Sequence, residues 1–221
     1  MEAFTHKSTP NPARLIDSMR HLGYDNYHAI ADLVDNSLDA EARNVKVAIR
    51  ARQSDIEIIV ADDGTGMDST KMNQAIRLGS IAEKDPASDL GRFGMGLCTA
   101  SLSICTQTIV LTKTVDGEIL KAVNDVDEVK RQNEFVSYMG KPEADDMTLF
   151  EEMTGKAKSG TVVVLRKCDC LQNRNTTSFA NGLKKELSRI FRYFLAAETS
   201  ISVNDQKLSA YDPLEWDNPH T

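Results

Sequence analysis

The sequence predicts an α+β domain rather than a doubly wound parallel sheet, because its strand and helix patterns do not alternate strictly. Two strand patterns, NVKVAIRA and DIEIIVADD, follow each other across the short polar connection RQSD, which indicates an antiparallel hairpin. Helical patterns with apolar residues three and four positions apart stand before and after this hairpin. The 221 residues are enough for one sizeable hydrophobic core.

The N-terminal part contains a polar arm, two helices and the hairpin. Gly23 is expected to end the first helix, which Asn11 or Asp17 caps. The apolar residues of the second helix recur at helical spacing, the first strand alternates apolar and polar residues, and the second strand is mostly apolar. The predicted elements are an arm at 1–14, helices over 12–22 and 27–41, and strands over 44–51 and 55–63.

The rest of the chain mixes both element types. Asp68 or Ser69 suits the N-cap of a helix, and Asp116-Gly117 suits a turn between strands. The acidic residues 127–159 have weak periodicity and form either an inserted docking segment or an irregular connection. The predicted elements are a helix over 68–78, a glycine-rich loop over 79–96, a helix over 97–104, two strands within 106–125, a strand over 160–167, a helix over 178–197 and a strand with an Asn-Asp turn within 199–208.

Composition restricts the class of protein. The net charge is −7 and the sequence pI is about 5.2, which argues against a domain that mainly binds nucleic acid or anionic membranes, although a local basic patch stays possible. The four cysteines lack a zinc-binding pattern, so they are expected to be reduced and mostly buried. With no signal peptide and no apolar run of about 18 residues, a cytoplasmic or nuclear protein is expected.

The helix AIADLVDNSLDAEAR concentrates short acids and amides on about three turns. Asp32 and Asn36 lie four residues apart and share a face, while Asp35 and Asp39 occupy an adjoining stripe. An asparagine oxygen suits Mg²⁺ that still holds phosphate and water, and a carboxylate one turn earlier suits activation of a water molecule. The alternative is a solvated acidic face.

Two further motifs complete the picture of a nucleotide site. ADDGTGMD ends a strand in carboxylates that can accept from an exocyclic amine, and its glycines allow a flat base to approach; the alternative is a tight turn. LGRFGMGLCTAS places three glycines before an apolar helix, which favours a phosphate site; the alternative is a flexible loop. Together the three motifs predict ATP binding.

DLVDNSLDA, DDGTGM and GRFGMGL resemble the N, G1 and G2 boxes of the GHKL superfamily, which includes DNA gyrase, Hsp90, histidine kinases and MutL. The form of the motifs is most similar to the Hsp90, MutL and MORC side, especially MORC-like prokaryotic ATPases. The resemblance covers about residues 15–205, the expected ATP-binding domain. It implies the Bergerat fold, a two-layer α/β sandwich with a mixed, mostly antiparallel sheet and helices on one face.

The resemblance also implies roles for individual residues. Asn36 ligates Mg²⁺, Asp32 occupies the position of the water-activating carboxylate, and Asp62 binds the adenine amine. Lys84 reaches a phosphate as a point charge, and Thr161 contacts an adenine-bound water and Asp62. The remaining implied site residues are Asp39, Ala40, Gly66 and Met67 at the base, Gly79 and Ser80 at the start of the lid, and Gly91, Arg92, Phe93, Gly94, Met95, Gly96 and Leu97 in the phosphate loop.

Two departures from the family pattern affect the expected activity. Asp32 stands where hydrolysing members mostly have glutamate, which predicts slow hydrolysis because aspartate reaches less far. Asp35 is the spare carboxylate, but its helical angle directs it away from the Asn36–Asp32 face. Cys98 stands where relatives often have lysine, which weakens nucleotide binding unless Lys84 or Arg92 compensates.

Two functions therefore remain open. The first is a Mg-dependent ATPase, hydrolysing ATP to ADP and phosphate, whose nucleotide state drives a conformational and homodimerisation switch, with residues 206–221 leading toward a transducer domain. The second is a non-catalytic ATP sensor that dimerises without turnover. A histidine kinase is disfavoured because His6, His21 and His28 lack a phosphoacceptor context. No membrane contact is expected, and nucleic acid would bind only through local patches or regions outside this chain.

Overall fold

A computed structural model describes residues 9–21, 23–78 and 96–212 of the chain. The helices are α1 (Pro12–Arg20), α2 (Asn26–Asp39), α3 (Ser69–Ala75), α4 (Gly96–Leu102), α5 (Val126–Gln132), α6 (Ala144–Thr154), α7 (Thr176–Ile190) and α8 (Arg192–Ala196). The strands are β1 (Asn44–Arg52), β2 (Asp55–Asp62), β3 (Gln107–Lys113), β4 (Leu120–Asp125), β5 (Tyr138–Gly140), β6 (Gly160–Arg166), β7 (Ser200–Val203) and β8 (Gln206–Lys207).

The strands form one mixed sheet in the order β5-β4-β3-β6-β2-β1-β7-β8. Every pairing is antiparallel except that of β1 with β7. The hairpin register sets Val45 opposite Asp62, so the Asp62 carboxylate stands at the end of a strand that pairs with two neighbours. The predicted α+β class with a mixed, mostly antiparallel sheet is confirmed.

Helices cover both faces of the central strands. Alternation along β2 directs Ile58 and Val60 into a core shared with α2, α4 and α7. Ile59 and Ala61 point the other way and join Phe150 of α6 in a second core. The expectation of helices on one face was therefore wrong in one respect, since α6 closes the opposite face.

Two local predictions need correction. The predicted helix over 178–197 breaks at Phe191, which leaves helical geometry while its ring stays buried, so α7 and α8 are separate. The segment 127–159 is not an irregular connection: it contains most of α5, all of β5 and all of α6. Its periodicity is weak because the first two of these elements have only seven and three residues.

Several smaller expectations are confirmed. Asn11, not Asp17, caps α1, and Asp68, not Ser69, caps α3. The cysteines are free thiols, three of them buried. Among helices in the described ranges, none combines the length and apolar character that crossing a membrane requires.

Candidate nucleotide site

Helix α2 forms one wall of the site because its two faces differ in chemistry. Asp25 caps the helix by accepting from the backbone N–H groups of Tyr27 and His28. Ile30 and Val34 are fully buried against the sheet. The acids and amides of the predicted motif therefore lie along the remaining surface of a helix that is fixed by its apolar stripe.

Asp62 ends β2 as a buried hydrogen-bond acceptor, with only 6% of its surface exposed. Its Oδ1 accepts from the backbone N–H groups of Gly64 at 2.9 Å and Thr161 at 3.1 Å, and its Oδ2 accepts from Ser37 Oγ at 3.0 Å. A carboxylate offers about four lone-pair directions. These bonds use three of them, so one direction on Oδ2 stays available for an external N–H.

Burial dominates the electrostatics of this carboxylate. It raises the pKa of Asp62 from 3.8 to about 6, against the opposing effect of the three hydrogen bonds. Near pH 7 the side chain is mostly ionised and acts as an acceptor.

The DDGTGM turn folds over the ends of neighbouring strands. Asp63 fixes its start by accepting from the backbone N–H groups of Arg43 and Asn44 at 2.9 and 2.8 Å. Gly66 has φ +67°, and a Cβ there would lie 2.0 Å from the Lys113 carbonyl oxygen. This glycine is thus required by a backbone approach within the protein, in addition to any role at a base.

Two buried threonines, Thr112 and Thr161, lie beneath the DDGTGM turn and bind it through the backbone of Met67. Thr112 Oγ1 lies 3.0 Å from Thr161 Oγ1 and accepts from the backbone N–H of Met67 at 2.9 Å. Thr161 contacts Asp62 through its backbone N–H, while its hydroxyl pairs with Thr112. The Thr161–Asp62 contact implied by the family resemblance is therefore present, made by the main chain.

The C-terminal end of α2 packs against the same turn. The Ala40 carbonyl accepts from the backbone N–H of Thr65 at 2.9 Å. A Cβ on Gly64 would lie 2.5 Å from that carbonyl oxygen, so the turn and the helix are in direct backbone contact. Asp39, the last residue of α2, is exposed beside this junction.

Asn36 faces the start of α4. A Cβ on Gly96 would lie 3.8 Å from both amide atoms of Asn36, so backbone and amide are separated by little more than van der Waals contact. The Asn36 Nδ2 atom is buried and has no hydrogen-bond partner among the described residues. Leu97, the next residue of α4, packs against the core.

The Asn36 side chain fits the implied Mg²⁺. Its amide oxygen is a neutral hard ligand that suits an ion taking most of its ligands from phosphate and water, whereas the unpartnered amide nitrogen is a donor and does not bind the ion. The described ranges contain no group of three or more His, Cys, Asp or Glu side chains arranged to hold a metal ion.

Asp32 is half-buried one turn before Asn36 and accepts a hydrogen bond from the Tyr24 hydroxyl through Oδ2. Burial, and then the Asp32 carboxylate, raise the pKa of Tyr24, so its hydroxyl stays protonated and donates at neutral pH. Asp35 is also half-buried, and burial followed by the charges of Asp39 and Asp32 raises the pKa of its carboxyl. Asp35 therefore does not lie on a fully solvated face of the helix.

Cys98, at the position where the resemblance implies lysine, points its thiol at the Ala75 carbonyl at 3.6 Å and is buried. Burial raises the pKa of this thiol to about 12. Eight predicted site residues lie outside the described ranges: Gly79, Ser80, Lys84, Gly91, Arg92, Phe93, Gly94 and Met95.

Sequence reasoning missed three side chains that hold this arrangement together. Ser37 binds Asp62, Tyr24 binds Asp32, and Thr112 links the turn to Thr161. Of these, only Ser37 could have been found from the sequence, because it directly follows Asn36 inside the motif. Tyr24 and Thr112 become neighbours of the site only through the tertiary fold.

Comparison with known proteins matches the same region of the chain. The family model described as histidine kinase-, DNA gyrase B-, and HSP90-like ATPase matches residues 24–161. Mouse ATPase MORC2B is 33% identical over 119 residues, which is 50% of this chain and 12% of that protein. Human ATPase MORC2 is 32% identical over 122 residues, covering 52% of this chain and 12% of that protein.

A third relative matches a shorter segment of the chain. The DNA mismatch repair protein MutL of Halobacterium salinarum is 42% identical over 65 residues, covering 29% of this chain and 10% of that protein. The matched segments thus span only about a tenth of the length of these relatives. Since the family model matches more than half of the chain and includes Asp32, Asn36 and Asp62, this chain belongs to the family of histidine kinase-, DNA gyrase B-, and HSP90-like ATPases.

Proposed function

We propose that this domain binds ATP with Mg²⁺ and hydrolyses it slowly to ADP and phosphate, and that nucleotide binding promotes homodimerisation. The observation that carries the proposal is the position of two consecutive residues of α2. Ser37 binds the buried acceptor Asp62, while Asn36 faces Gly96 at the start of α4. One helix thereby connects a base-recognising carboxylate to the end of the glycine-rich segment.

Asp62 would recognise the adenine amine through the remaining lone pair of Oδ2. Its other lone pairs are occupied, so the carboxylate is held in one orientation before the nucleotide arrives. A fixed acceptor loses little conformational entropy on binding. Met67, Asp39 and Ala40 would line the base.

Asn36 would hold Mg²⁺, which supplies charge compensation for the phosphates when bound. Asp32 would take a proton from the attacking water, with Tyr24 fixing its second oxygen. The implied phosphate contacts come from Gly91 to Leu97 and from Lys84.

The test compares ATP turnover and binding in matched asparagine variants. Asn36→Ala is expected to abolish phosphate release, whereas Asn181→Ala, at an exposed position of α7, is expected to retain it. Binding of the non-hydrolysable analogue adenylyl imidodiphosphate is measured by calorimetry, and its effect on mass by light scattering. Equal turnover in the Asn36→Ala protein and the wild type would rule out the metal assignment.

The second candidate function is a non-catalytic ATP sensor. It is favoured by the short reach of Asp32, one oxygen of which already binds Tyr24. Asp32→Asn and Asp32→Glu separate the two functions: a base predicts that Asn abolishes turnover, and a sensor predicts that neither variant changes phosphate release while the analogue still drives dimerisation.

A further inference from the structure

A cavity of about 380 Å³ lies beside the start of β3, away from the candidate nucleotide site. Thr108, near the start of β3, lines the cavity, whereas Thr112, near the end of the same strand, binds the turn that follows Asp62. Four residues of a strand span about 13 Å. The volume is within the range of small-molecule sites, and none of the lining residues is among those proposed to bind the nucleotide.

The walls of this cavity are mainly apolar side chains of α1, α4 and α5 and of the segment after α5. Ile16, Leu102 and Val129 are among them. Leu15 and Phe135 also line the cavity and are 37% and 47% exposed, so they lie where it opens to solvent. An apolar ligand would remove these two side chains from water, and the hydrophobic effect would favour its binding.

Two charged side chains line the cavity, and only one of them is neutralised within the described part of the chain. Asp125 Oδ2 accepts from Gln107 at 2.8 Å and lies 3.5 Å from Lys167 Nζ. Its Oδ1 accepts from the backbone N–H of Asp127 at 2.9 Å. Arg77 is exposed, and its guanidinium forms neither a hydrogen bond nor an ion pair with any residue in the described ranges. The described lining therefore carries one unbalanced positive charge.

The backbone that carries Arg77 is fixed beside the cavity. Its N–H donates to the Gln74 carbonyl at 3.3 Å. The preceding residue, Ile76, is buried, and its carbonyl accepts from Asn124 Nδ2 at 3.0 Å. The guanidinium thus extends from an anchored position with all of its donors uncommitted. A guanidinium binds a carboxylate through two parallel hydrogen bonds, which gives both strength and orientation.

We propose that this cavity binds a small molecule with an apolar body and a single carboxylate. The body lies against the apolar walls and supplies most of the affinity, and the carboxylate pairs with the guanidinium of Arg77. One carboxylate matches the one unbalanced cation, so the site selects a monoanion over a neutral molecule of the same shape. The site is separate from the nucleotide site and does not depend on the proposed ATPase activity.

The probes are 2-naphthoate, which has one carboxylate on an apolar bicyclic ring, and 2-naphthamide, a neutral molecule of nearly the same shape. Binding to the whole chain is followed by probe fluorescence at neutral pH, where the acid is ionised. The wild type is expected to bind one equivalent of 2-naphthoate saturably and about tenfold more tightly than 2-naphthamide, the effect of a charge-assisted pair. Absence of saturable binding, or equal affinity for both probes, overturns the proposal.

Two substitutions that each remove one exposed cation provide matched variants. Arg77→Gln is expected to weaken 2-naphthoate binding about tenfold and to leave 2-naphthamide binding unchanged, so that the preference for the anion disappears. Lys207→Gln removes a cation from β8, at the opposite edge of the sheet from β4 and β5, and is expected to change neither affinity. Equal effects of the two substitutions would mean that the net charge of the chain attracts the probe, which contradicts the assignment of Arg77.

Two further measurements fix the location. Val129→Phe fills the cavity and is expected to abolish binding of both probes. Because Arg77 is exposed, the Arg77→Gln protein is expected to fold, and its comparison with the wild type decides the matter if Val129→Phe does not fold. Adenylyl imidodiphosphate at saturating concentration is expected to leave 2-naphthoate bound. Displacement by the nucleotide analogue would mean that the probe occupies the nucleotide site, which would refute a separate site whatever the outcome for ATP hydrolysis.

Discussion

Asp62→Asn is expected to make the nucleotide-free protein more stable above pH 6 while removing ATP binding. The asparagine can keep every hydrogen bond of the aspartate. Its Oδ1 accepts from Gly64 and Thr161, and its Nδ2 donates to Ser37 Oγ. The Ser37 hydroxyl then donates only to the Leu33 carbonyl, which lies 3.2 Å away.

The magnitude follows from the raised pKa of Asp62. The folded value is about 6 and the ordinary value is 3.8, so folding favours the protonated form. Stability from this group is fully present below pH 3.8 and is lost as the pH rises through 6. The loss amounts to about 1 kcal/mol by pH 4.5 and about 3 kcal/mol by pH 8. The variant lacks this loss.

The assay is urea denaturation of wild type and Asp62→Asn without nucleotide at pH 4.5 and pH 8. The free energy of unfolding of the variant, minus that of the wild type, should be about 2 kcal/mol larger at pH 8 than at pH 4.5. Asp62→Ala is the contrast, because it leaves the backbone N–H groups of Gly64 and Thr161 without an acceptor and is expected to be destabilised at both pH values. If the stability difference between Asp62→Asn and the wild type is the same at pH 4.5 and pH 8, burial does not disfavour the ionised form of Asp62.

Three further perturbations test other contacts. Tyr24→Phe removes the hydroxyl that holds Asp32, and kcat for ATP is expected to fall about tenfold with KM within twofold; an unchanged kcat would show that the contact does not position a base. Gly160→Ala places a Cβ 2.2 Å from the Asp62 carbonyl at φ +151°, and the free energy of unfolding in urea should drop by about 3 kcal/mol or more; a wild-type midpoint would contradict the strain. Arg20→Ala leaves two carbonyls at and just beyond the end of α4 without their guanidinium donor, and calorimetric unfolding should show a loss of about 3 kcal/mol; a loss below about 1 kcal/mol would mean that water replaces the donor.

The sequence determined those features that depend on local pattern. The alternation of β1 and the apolar run of β2, which is buried at seven consecutive positions, placed both strands within one residue of their observed bounds. Asn11 and Asp68 were among the predicted caps because a helix start needs a side-chain acceptor. Two of the three motifs singled out Asp32, Asn36 and Asp62; the first two lie on α2, and Asp62 is bound to α2 through Ser37.

Residue periodicity did not predict the shortest helices and strands. The strand β5 has three residues and α5 has seven, too few for a period to emerge above the irregular composition of this segment. The break at Phe191 also escaped, because apolar positions continue at helical spacing across it. The helix ends at Phe191, whose side chain is buried.

Only the tertiary structure decided how the residues of the candidate site are held. Ser37 and Asp62 are 25 residues apart in sequence, and Tyr24 reaches Asp32 from outside the helix that carries it. The pKa of Asp62 depends on burial that three separate segments create. Composition and residue spacing do not reveal contacts between distant segments, whereas a motif is recognised from residues that are close together in the sequence. The sequence alone therefore pointed to a nucleotide site, and the fold supplied the partners that orient each of its side chains.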